Sequence, residues 1–489
     1  MEKNAHWPLL VFGTSDSAEN RRIRAARQRG ELREVASRIY SPDLITPPEV
    51  LIRKNWLPVA QHLFPGALIS HRSQLEGGPS ADAHLFLTYK YTRNVELPGL
   101  TVHLLEGPDA LPSDAPFGDG NLLFASEARG LLENLQPARV RKGGVSKNLP
   151  IETVEERLEM VLSIRGEDGL NALRDQAREV AAALDWRTEL ALLQRIVGAL
   201  LTTQSSKVLN SPVARARALG LPFDAGRVSL LTELLSALHQ TALPERPDPG
   251  PAAPAFYTVA FFEAYFSNFI EGTVFQVDEA HRMVESGQAI GGRHADSHDV
   301  LSTYQLCSNV AEMRVVPQTA EELLAILQRR HAQLMRARPD KRPSQWKEYA
   351  NKAGLTNFVD PVLVRGTLHE GFKLYRNLTE PLARAMFMMF LISEVHPFDD
   401  GNGRVARLMM NAELVSAGQC RIIITTHARD GYLDALRVLS RQGKPDLYIR
   451  MLSSAQQFVA SLRPESYGAV KQQLEAQQAF TEVSSQLRW

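Results

Sequence analysis

The stretch His396-Pro397-Phe398-Asp399-Asp400-Gly401-Asn402-Gly403-Arg404-Val405-Ala406-Arg407 gathers a base, a carboxylate of metal-binding type, a glycine-rich turn and two arginines. His396 is the group among them suited to take a proton near neutral pH. Gly401-Asn402-Gly403 can bring backbone N–H groups close to an anion without interference from a Cβ, at the positive end of the helix that follows. Arg404 and Arg407 are three apart and share a helix face, yet they fall in what reads as a first turn, where cations oppose the helix dipole. That placement makes sense if an anion sits between them. Asp400, just before the turn, is positioned to hold a Mg²⁺ ion bridging phosphate oxygens. Together these residues describe a polyphosphate site beside a base.

Two elements must hold this loop. The mostly apolar segment Ala385 to Val395 reads as a buried helix, and Val405 to Ala417 returns to helical spacing through Leu408, Met409, Ala412 and Leu414. Far upstream, Ser267-Asn268-Phe269-Ile270-Glu271-Gly272 ends the apolar segment Ala255 to Ile270. Ser267 and Glu271 are four apart, on one helical face. Gly272 is placed to stop the helix, which leaves Glu271 at the negative end of a helix dipole. Glu271 and Arg407 are both set against their own helices, and each would relieve the other if they met.

The first stretch resembles, at every fixed position, the signature of Fic-domain (Fido) proteins, His-x-Phe-x-(Asp/Glu)-Gly-Asn-Gly-Arg-x-x-Arg. The resemblance implies an all-helical domain with a short flap that transfers AMP from ATP to a hydroxyl of a target protein, on a Tyr, Thr or Ser. Carried over residue by residue, His396 deprotonates the hydroxyl and Asp400 binds Mg²⁺. Asn402 and the amides of Gly401 and Gly403 hold the α-phosphate, Arg404 and Arg407 the β- and γ-phosphates, and Phe398 anchors the loop in the core. Related phosphate-transferring toxins carry Lys where this chain has Gly403, so the resemblance favours nucleotidyl transfer. The upstream stretch resembles the (Ser/Thr)-x-x-x-Glu-(Gly/Asn) inhibitory motif of autoinhibited Fic proteins, with Ser267, Glu271 and Gly272 at its fixed positions. It implies that Glu271 pairs with Arg407 and blocks the γ-phosphate. In some relatives the same Glu supports removal of AMP, so the net direction stays open.

Between the two motifs, Gly291-Gly292 and the polar run His294 to Asp299 read as a loop, and Glu321 to Ala337 as a helix. Trp346 to Asp360 breaks the helical pattern. By the resemblance it holds the flap that pins a target segment by main-chain pairing, with Thr356, Asn357, Phe358 and Val359 as candidates. Gly366 to Leu378 and Pro381 to Val395 read as two further helices. Tyr432 and Leu433 are candidates for the adenine pocket, or for the core.

At 489 residues, 44% apolar and 22% charged, the chain has the composition of a soluble globular protein with room for two or three domains. Its 55 basic and 55 acidic residues balance, which excludes a generic polyanion binder. Cys307 and Cys420, the only cysteines, exclude a disulfide framework or cysteine-rich metal site and suit a reducing cytoplasm. The longest strictly apolar run, Ala385 to Ile392, is too short to span a bilayer, and no basic-then-apolar leader opens the chain.

The expected organisation is mainly α. An α/β N-terminal module over 1–145 and a helical connector over 146–243 are followed by a proline-rich exposed linker over 244–254 and the Fic domain over 255–489. In the first module Ser17 to Gly30 reads as a capped helix carrying Arg21, Arg22, Arg24, Arg27 and Arg29, and Leu32 to Tyr40 as a strand with a turn. A basic helix before a β-ribbon is the outline of a winged helix–turn–helix that meets DNA through those arginines. Gly30, Leu32 and Tyr40 give this part a loose resemblance to the N-terminal regulator domain of AbiEi-type antitoxins. Its acidic neighbours Glu19, Glu31 and Glu34 dilute the basic field. Two functions therefore stand: an autoinhibited AMP-transferase with an accessory N-terminal module, possible as a homodimer, and a DNA-binding, antitoxin-like regulator whose Fic domain senses nucleotide or removes AMP.

Overall fold

The computed structural model describes residues 7–118, 121–139, 144–248 and 254–482. The chain divides into two compact units, Met1–Leu219 and Gly220–Trp489, and helices dominate it.

In the first unit, helix Ser17–Gln28 is capped by Asp16, whose carboxylate accepts the Ala18 N–H at 2.8 Å. Ile23 and Ala26 bury its inner face against Val11 and Leu32. The ribbon expected after it is present as antiparallel strands Arg33–Ala36 and Ile39–Ser41, with Val11–Phe12 added beside the second. No helix precedes Ser17 among the described residues, so the first helix of a helix–turn–helix has no counterpart there. The arginine face is largely offset within the unit: Arg22 pairs with Glu19 at 2.7 Å, Arg27 with Glu34 at 2.9 Å and Arg29 with Glu31 at 2.7 Å. The remainder of this part is a six-stranded mixed sheet. Its edge-to-edge order is Arg93–Leu97, Leu100–Glu106, His84–Tyr89, Leu68–Ile69, Leu122–Phe124, Ala115–Phe117.

Two expected boundaries are redrawn. The break near 145 touches residues 140–143, which lie outside the described residues. Across it helix Glu127–Asn134 shares a core with helix Ile151–Leu184, through Ala128, Leu131 and Leu132 against Val154 and Leu158. The helical connector is itself divided. Its long helix, broken at Gly166 (φ +69°), belongs to the first unit, while helix Ala225–Gln240 buries Leu231, Leu234 and Leu238 in the core of the second. Of the proline-rich segment, residues 249–253 are outside the described residues. The part before them is not a free linker: the Cys420 N–H donates to the Arg246 carbonyl at 2.8 Å and the Asp248 N–H to that of Gly418 at 3.0 Å.

Among its described residues the second unit is helical apart from a two-stranded hairpin, Lys352–Ala353 with Thr356–Asn357, and a single bridge between Pro247 and Gln419. Its centre is helix Pro381–Val395, in which every side chain from Met386 to Ile392 is fully buried. An all-apolar helix of this kind is wrapped by others, here including Val364–Tyr375, Ala225–Gln240 and Asn402–Ser416. The polar run read as a loop is instead the start of helix His294–Cys307. Its inward face carries Ser297, Asp299, Ser302 and Thr303 beside Val300, Leu306 and Cys307, and tertiary ion pairs share the work of hydrophobic periodicity. Cys307 and Cys420 are buried and unpaired. No helix among the described residues is long and apolar enough to cross a membrane.

Candidate active site

The antiparallel helices Pro381–Val395 and Asn402–Ser416 are joined by the loop 396–401. His396 closes the first helix in the left-handed conformation (φ +51°) and still donates its N–H to the Ile392 carbonyl at 2.9 Å. Gly401 opens the second at φ +74°, where a Cβ would lie 2.7 Å from Met335 Sδ. Phe398 is fully buried between the His331 ring (centroids 3.8 Å apart) and the Trp346 ring (5.1 Å). His331 receives the Ser344 N–H on Nδ1 and contacts the Asp400 carbonyl through Nε2 at 3.0 Å, so it sits in the neutral Nε2–H form. Burial holds its pKa down to about 4.

His396 Nδ1 lies 3.2 Å from the Ser393 carbonyl oxygen. A carbonyl only accepts, which assigns the ring proton to Nδ1 and leaves the Nε2 lone pair open as a base. Its face stacks on Phe358 at 3.8 Å and 7°. Burial lowers its pKa to about 4, against the raising influence of the Ser393 bond, and nearby Lys347 lowers it further. Lys347 is buried, donates to the Val395 carbonyl at 3.3 Å and to Asn351 Oδ1 at 2.7 Å, and is itself pushed down to about 8 by burial.

The two motif arginines have different surroundings. Arg404 lies in the first turn of its helix; Arg407, one turn further in, does not, because the helix begins at Asn402. Arg407 Nε donates to Ser267 Oγ at 2.9 Å, and Nη2 donates to the Ser267 carbonyl at 2.9 Å and to Glu271 Oε1 at 2.6 Å. Burial would raise the Glu271 pKa, but the charge and hydrogen bond of Arg407, with Arg404 and His396 behind, hold it below the usual value. Burial likewise opposes the Arg407 charge, and Glu271 together with Tyr432 more than restores it. Gly272 follows Glu271 at φ +90° and ends the helix region. Arg404 is buried behind the site. Its Nη1 is 2.9 Å from Asp299 Oδ2 and its Nη2 is 3.3 Å from Met335 Sδ, while Nε and Nη1 have no aligned acceptor among the described residues. Asp299 also accepts from Arg338, whose Nε lies 3.2 and 3.0 Å from its two carboxylate oxygens and whose Nη2 lies 2.7 Å from Oδ2.

Asn402 is engaged within the loop. Its Oδ1 accepts the Phe398 N–H and its Nδ2 donates to the Phe398 carbonyl, both at 2.8 Å. The Gly401 N–H donates to Asp400 Oδ1 at 2.6 Å. Of the expected nest, Gly403 is the member whose surroundings Glu271 fills: a Cβ there would lie 2.2 Å from Glu271 Oε1. A cavity of about 360 Å³ is walled by Gly403, Arg407, Glu271 and His396, by Thr356 and Phe358 of the flap, and by Tyr432, Leu433 and Leu436. That size suits a small-molecule site. Val359, the fourth flap candidate, is fully buried in the core, out of reach of a target chain. No cluster of three or more His, Cys, Asp or Glu that could hold a metal occurs among the described residues. A Mg²⁺ ion needs only one or two carboxylates when phosphate oxygens complete its shell, and Asp400 fits that donor set, with Oδ1 turned to Gly401.

Residues that no motif flagged are therefore structural partners of the site: Asp299 for Arg404, His331 for the loop, and Lys347 for the end of the His396 helix. Lys347, an isolated lysine, and Asp299, in a polar run, left no periodic trace to find.

Residues 280–414 match the model of a family described as Fic/DOC family. The chain is 25% identical over 203 residues to the protein adenylyltransferase Fic of Drosophila virilis, a match covering 39% of this chain and 41% of that protein. It is 36% identical over 76 residues to the protein adenylyltransferase Fic of Culex quinquefasciatus, covering 16% and 15%. The match thus spans less than half the length of these relatives. Among solved structures it is similar to Fic-1 of C. elegans, with 17% identity and a TM-score of 0.36 over 68% of this chain and 94% of that one.

Proposed function

For a chain that carries a Fic/DOC-family domain at residues 280–414, we propose protein adenylyltransfer from ATP, held in check by Glu271. The observation that carries this reading is the common cavity of His396, Gly403, Arg407 and Glu271. A base with a free Nε2, a helix-start amide and an arginine already paired with a carboxylate suit a polyphosphate and a hydroxyl meeting in one place.

In this reading the triphosphate lies along the start of helix Asn402–Ser416, its α-phosphate at the Gly403 amide and its terminal phosphate at Arg407 once Glu271 has left. Asp400 would hold Mg²⁺, which when bound neutralises phosphate charge. His396 Nε2 takes the proton of the target hydroxyl, whose oxygen bonds to the α-phosphorus as the bond to the β-phosphate bridging oxygen breaks and pyrophosphate leaves. The stacked Phe358 and the Ser393 carbonyl fix the imidazole plane and tautomer during that transfer. Asn402 acts one step back, holding the loop that carries His396, and Arg404 needs to turn from Asp299 to reach a phosphate. With Glu271 in place, Arg407 has no hydrogen-bonding capacity left on Nη2 for a phosphate oxygen.

Label on the α- or the γ-phosphate of ATP distinguishes the reaction. Glu271→Gly protein with Mg²⁺ is expected to place α-label, and no γ-label, on protein. γ-Label alone on protein would make it a phosphotransferase.

A further inference from the structure

Arg227 lies in the first turn of helix Ala225–Gln240, where its charge opposes the helix dipole, and outside the segment that matches the family model. Its own helix gains nothing from it there, and its guanidinium serves two other elements. Nη1 pairs with Glu394 Oε1, and Nη2 donates to the carbonyl of Asn357, the last residue of the flap's second strand. Glu394 is buried, stands two residues before His396, accepts a hydrogen bond from Ser440 Oγ at 3.0 Å and lines the cavity. Also facing Arg227 are Asp224, which accepts its N–H at 3.0 Å and places a carboxylate oxygen 4.0 Å from Nε, and more distantly Lys347.

The flap has little else to hold it. It is a hairpin of two residues a side whose tip, Leu355, is 88% exposed, and two-stranded ribbons are marginal alone. Arg441 Nε donates to Thr356 Oγ1 at 2.9 Å and the Phe358 N–H to the Asn351 carbonyl at 3.2 Å. The fork of Arg227 is the contact that ties the flap backbone to the helix bearing His396, and planar guanidinium geometry suits two acceptors at once.

We propose that Arg227 is a positioning residue: bridging Glu394 and the Asn357 carbonyl, it sets the flap, and with it Phe358, over His396, and so fixes how a target chain is presented. This rests on the adenylyltransfer reading for its functional half only. The structural half is tested without any reaction.

Hydrogen exchange of the full chain, read by mass spectrometry, compares wild type with Arg227→Met and Glu394→Gln. Exchange across 352–358 is expected to accelerate about tenfold or more in both, with protection of helix 402–416 retained. Unchanged flap exchange in either folded variant overturns the proposal, and Glu394→Gln decides the matter if Arg227→Met fails to fold. In the Glu271→Gly background, Arg227→Met is expected to raise the KM for the labelled acceptor about tenfold while the KM for ATP stays within about twofold, with partial recovery in Arg227→Lys. An equal fall in kcat with both KM values unchanged contradicts the presentation role. Absence of transfer by the Glu271→Gly parent sinks the adenylyltransfer reading instead, leaving the exchange result to stand.

Discussion

Glu271 Oε1 accepts a hydrogen bond from Arg407 Nη2 at 2.6 Å, across 136 residues of chain. Ser267, one turn earlier on the same helix, supplies two more acceptors to that guanidinium. Gly403 makes the approach possible, since a Cβ there would lie 2.2 Å from Glu271 Oε1 and 3.0 Å from Arg407 Nη1. The glycine that opens the anion nest also admits the carboxylate that fills it.

Removing Glu271 leaves a buried arginine charge facing the neutral groups of Ser267 and Tyr432. Breaking a buried pair costs about 3–5 kcal/mol, and partial exposure reduces that to about 1–2 kcal/mol here. The Glu271 side chain retains 28% of its exposure. Glu271→Gly is therefore expected to unfold at lower temperature than wild type without nucleotide, and to gain more from Mg²⁺ and ATP, which supplies the missing anion. Thermal unfolding with and without nucleotide checks this; equal shifts in the two proteins speak against a phosphate at Arg407.

Ser267→Ala removes one of the three hydrogen bonds that hold Arg407 and leaves the Ser267 carbonyl and Glu271 in place. A hydrogen bond to a charged group contributes about 1.5–3 kcal/mol. Partial release of transfer is the expected outcome, clearly above wild type and below Glu271→Gly in an α-label assay. Activity at the full Glu271→Gly level would mean that the hydroxyl, not the carboxylate, is the restraint.

Asn402 separates a loop clasp from a direct phosphate ligand. Asn402→Ala strands the Phe398 N–H and carbonyl inside the protein, at about 1–3 kcal/mol for each buried group left unsatisfied. Lower stability in the absence of nucleotide is expected. An unchanged melting temperature with weakened nucleotide binding would return Asn402 to the phosphate.

The two histidines of the site set a pH window. His396 and His331 are both held from 6.5 down to about 4 by burial. Folding favours their neutral forms, so their contribution to stability is complete above pH 6.5 and is lost as pH falls toward 4. Denaturant titrations of wild type between pH 7 and pH 4 should show that loss, and His331→Gln should show less of it. Transfer by Glu271→Gly should likewise keep its base unprotonated at pH 5; an acid limb centred near 6.5 would mean His396 is not desolvated as the structure has it.

Much of this site was legible because glycine, proline and charge reversal leave marks in a sequence. The left-handed Gly272 that stops its helix and the misplaced charge of Glu271 could be read from local rules, and the structure joins Glu271 to the arginine those rules suggested. The partner that Arg404 has here went unread because that counter-ion, Asp299, sits in a polar run without apolar period, which reads as loop until its partners Arg338 and Arg404 are known. Asn402 has an amide that suits a phosphate and a loop equally; only the fold shows it turned to Phe398. The proline-rich stretch misled for a related reason, since the backbones of Arg246 and Asp248 pair with those of Cys420 and Gly418. Short pairings of that kind have no composition of their own.

The central claim is that Glu271 restrains an AMP transfer for which His396 is the base. The most direct test is the rate of α-label transfer from ATP to protein by wild type, Glu271→Gly, and Glu271→Gly combined with His396→Ala. The account predicts a rise of about a hundredfold or more on Glu271→Gly and its loss in the double variant, with ATP still bound. Equal rates in wild type and Glu271→Gly, or transfer that survives without His396, would contradict it.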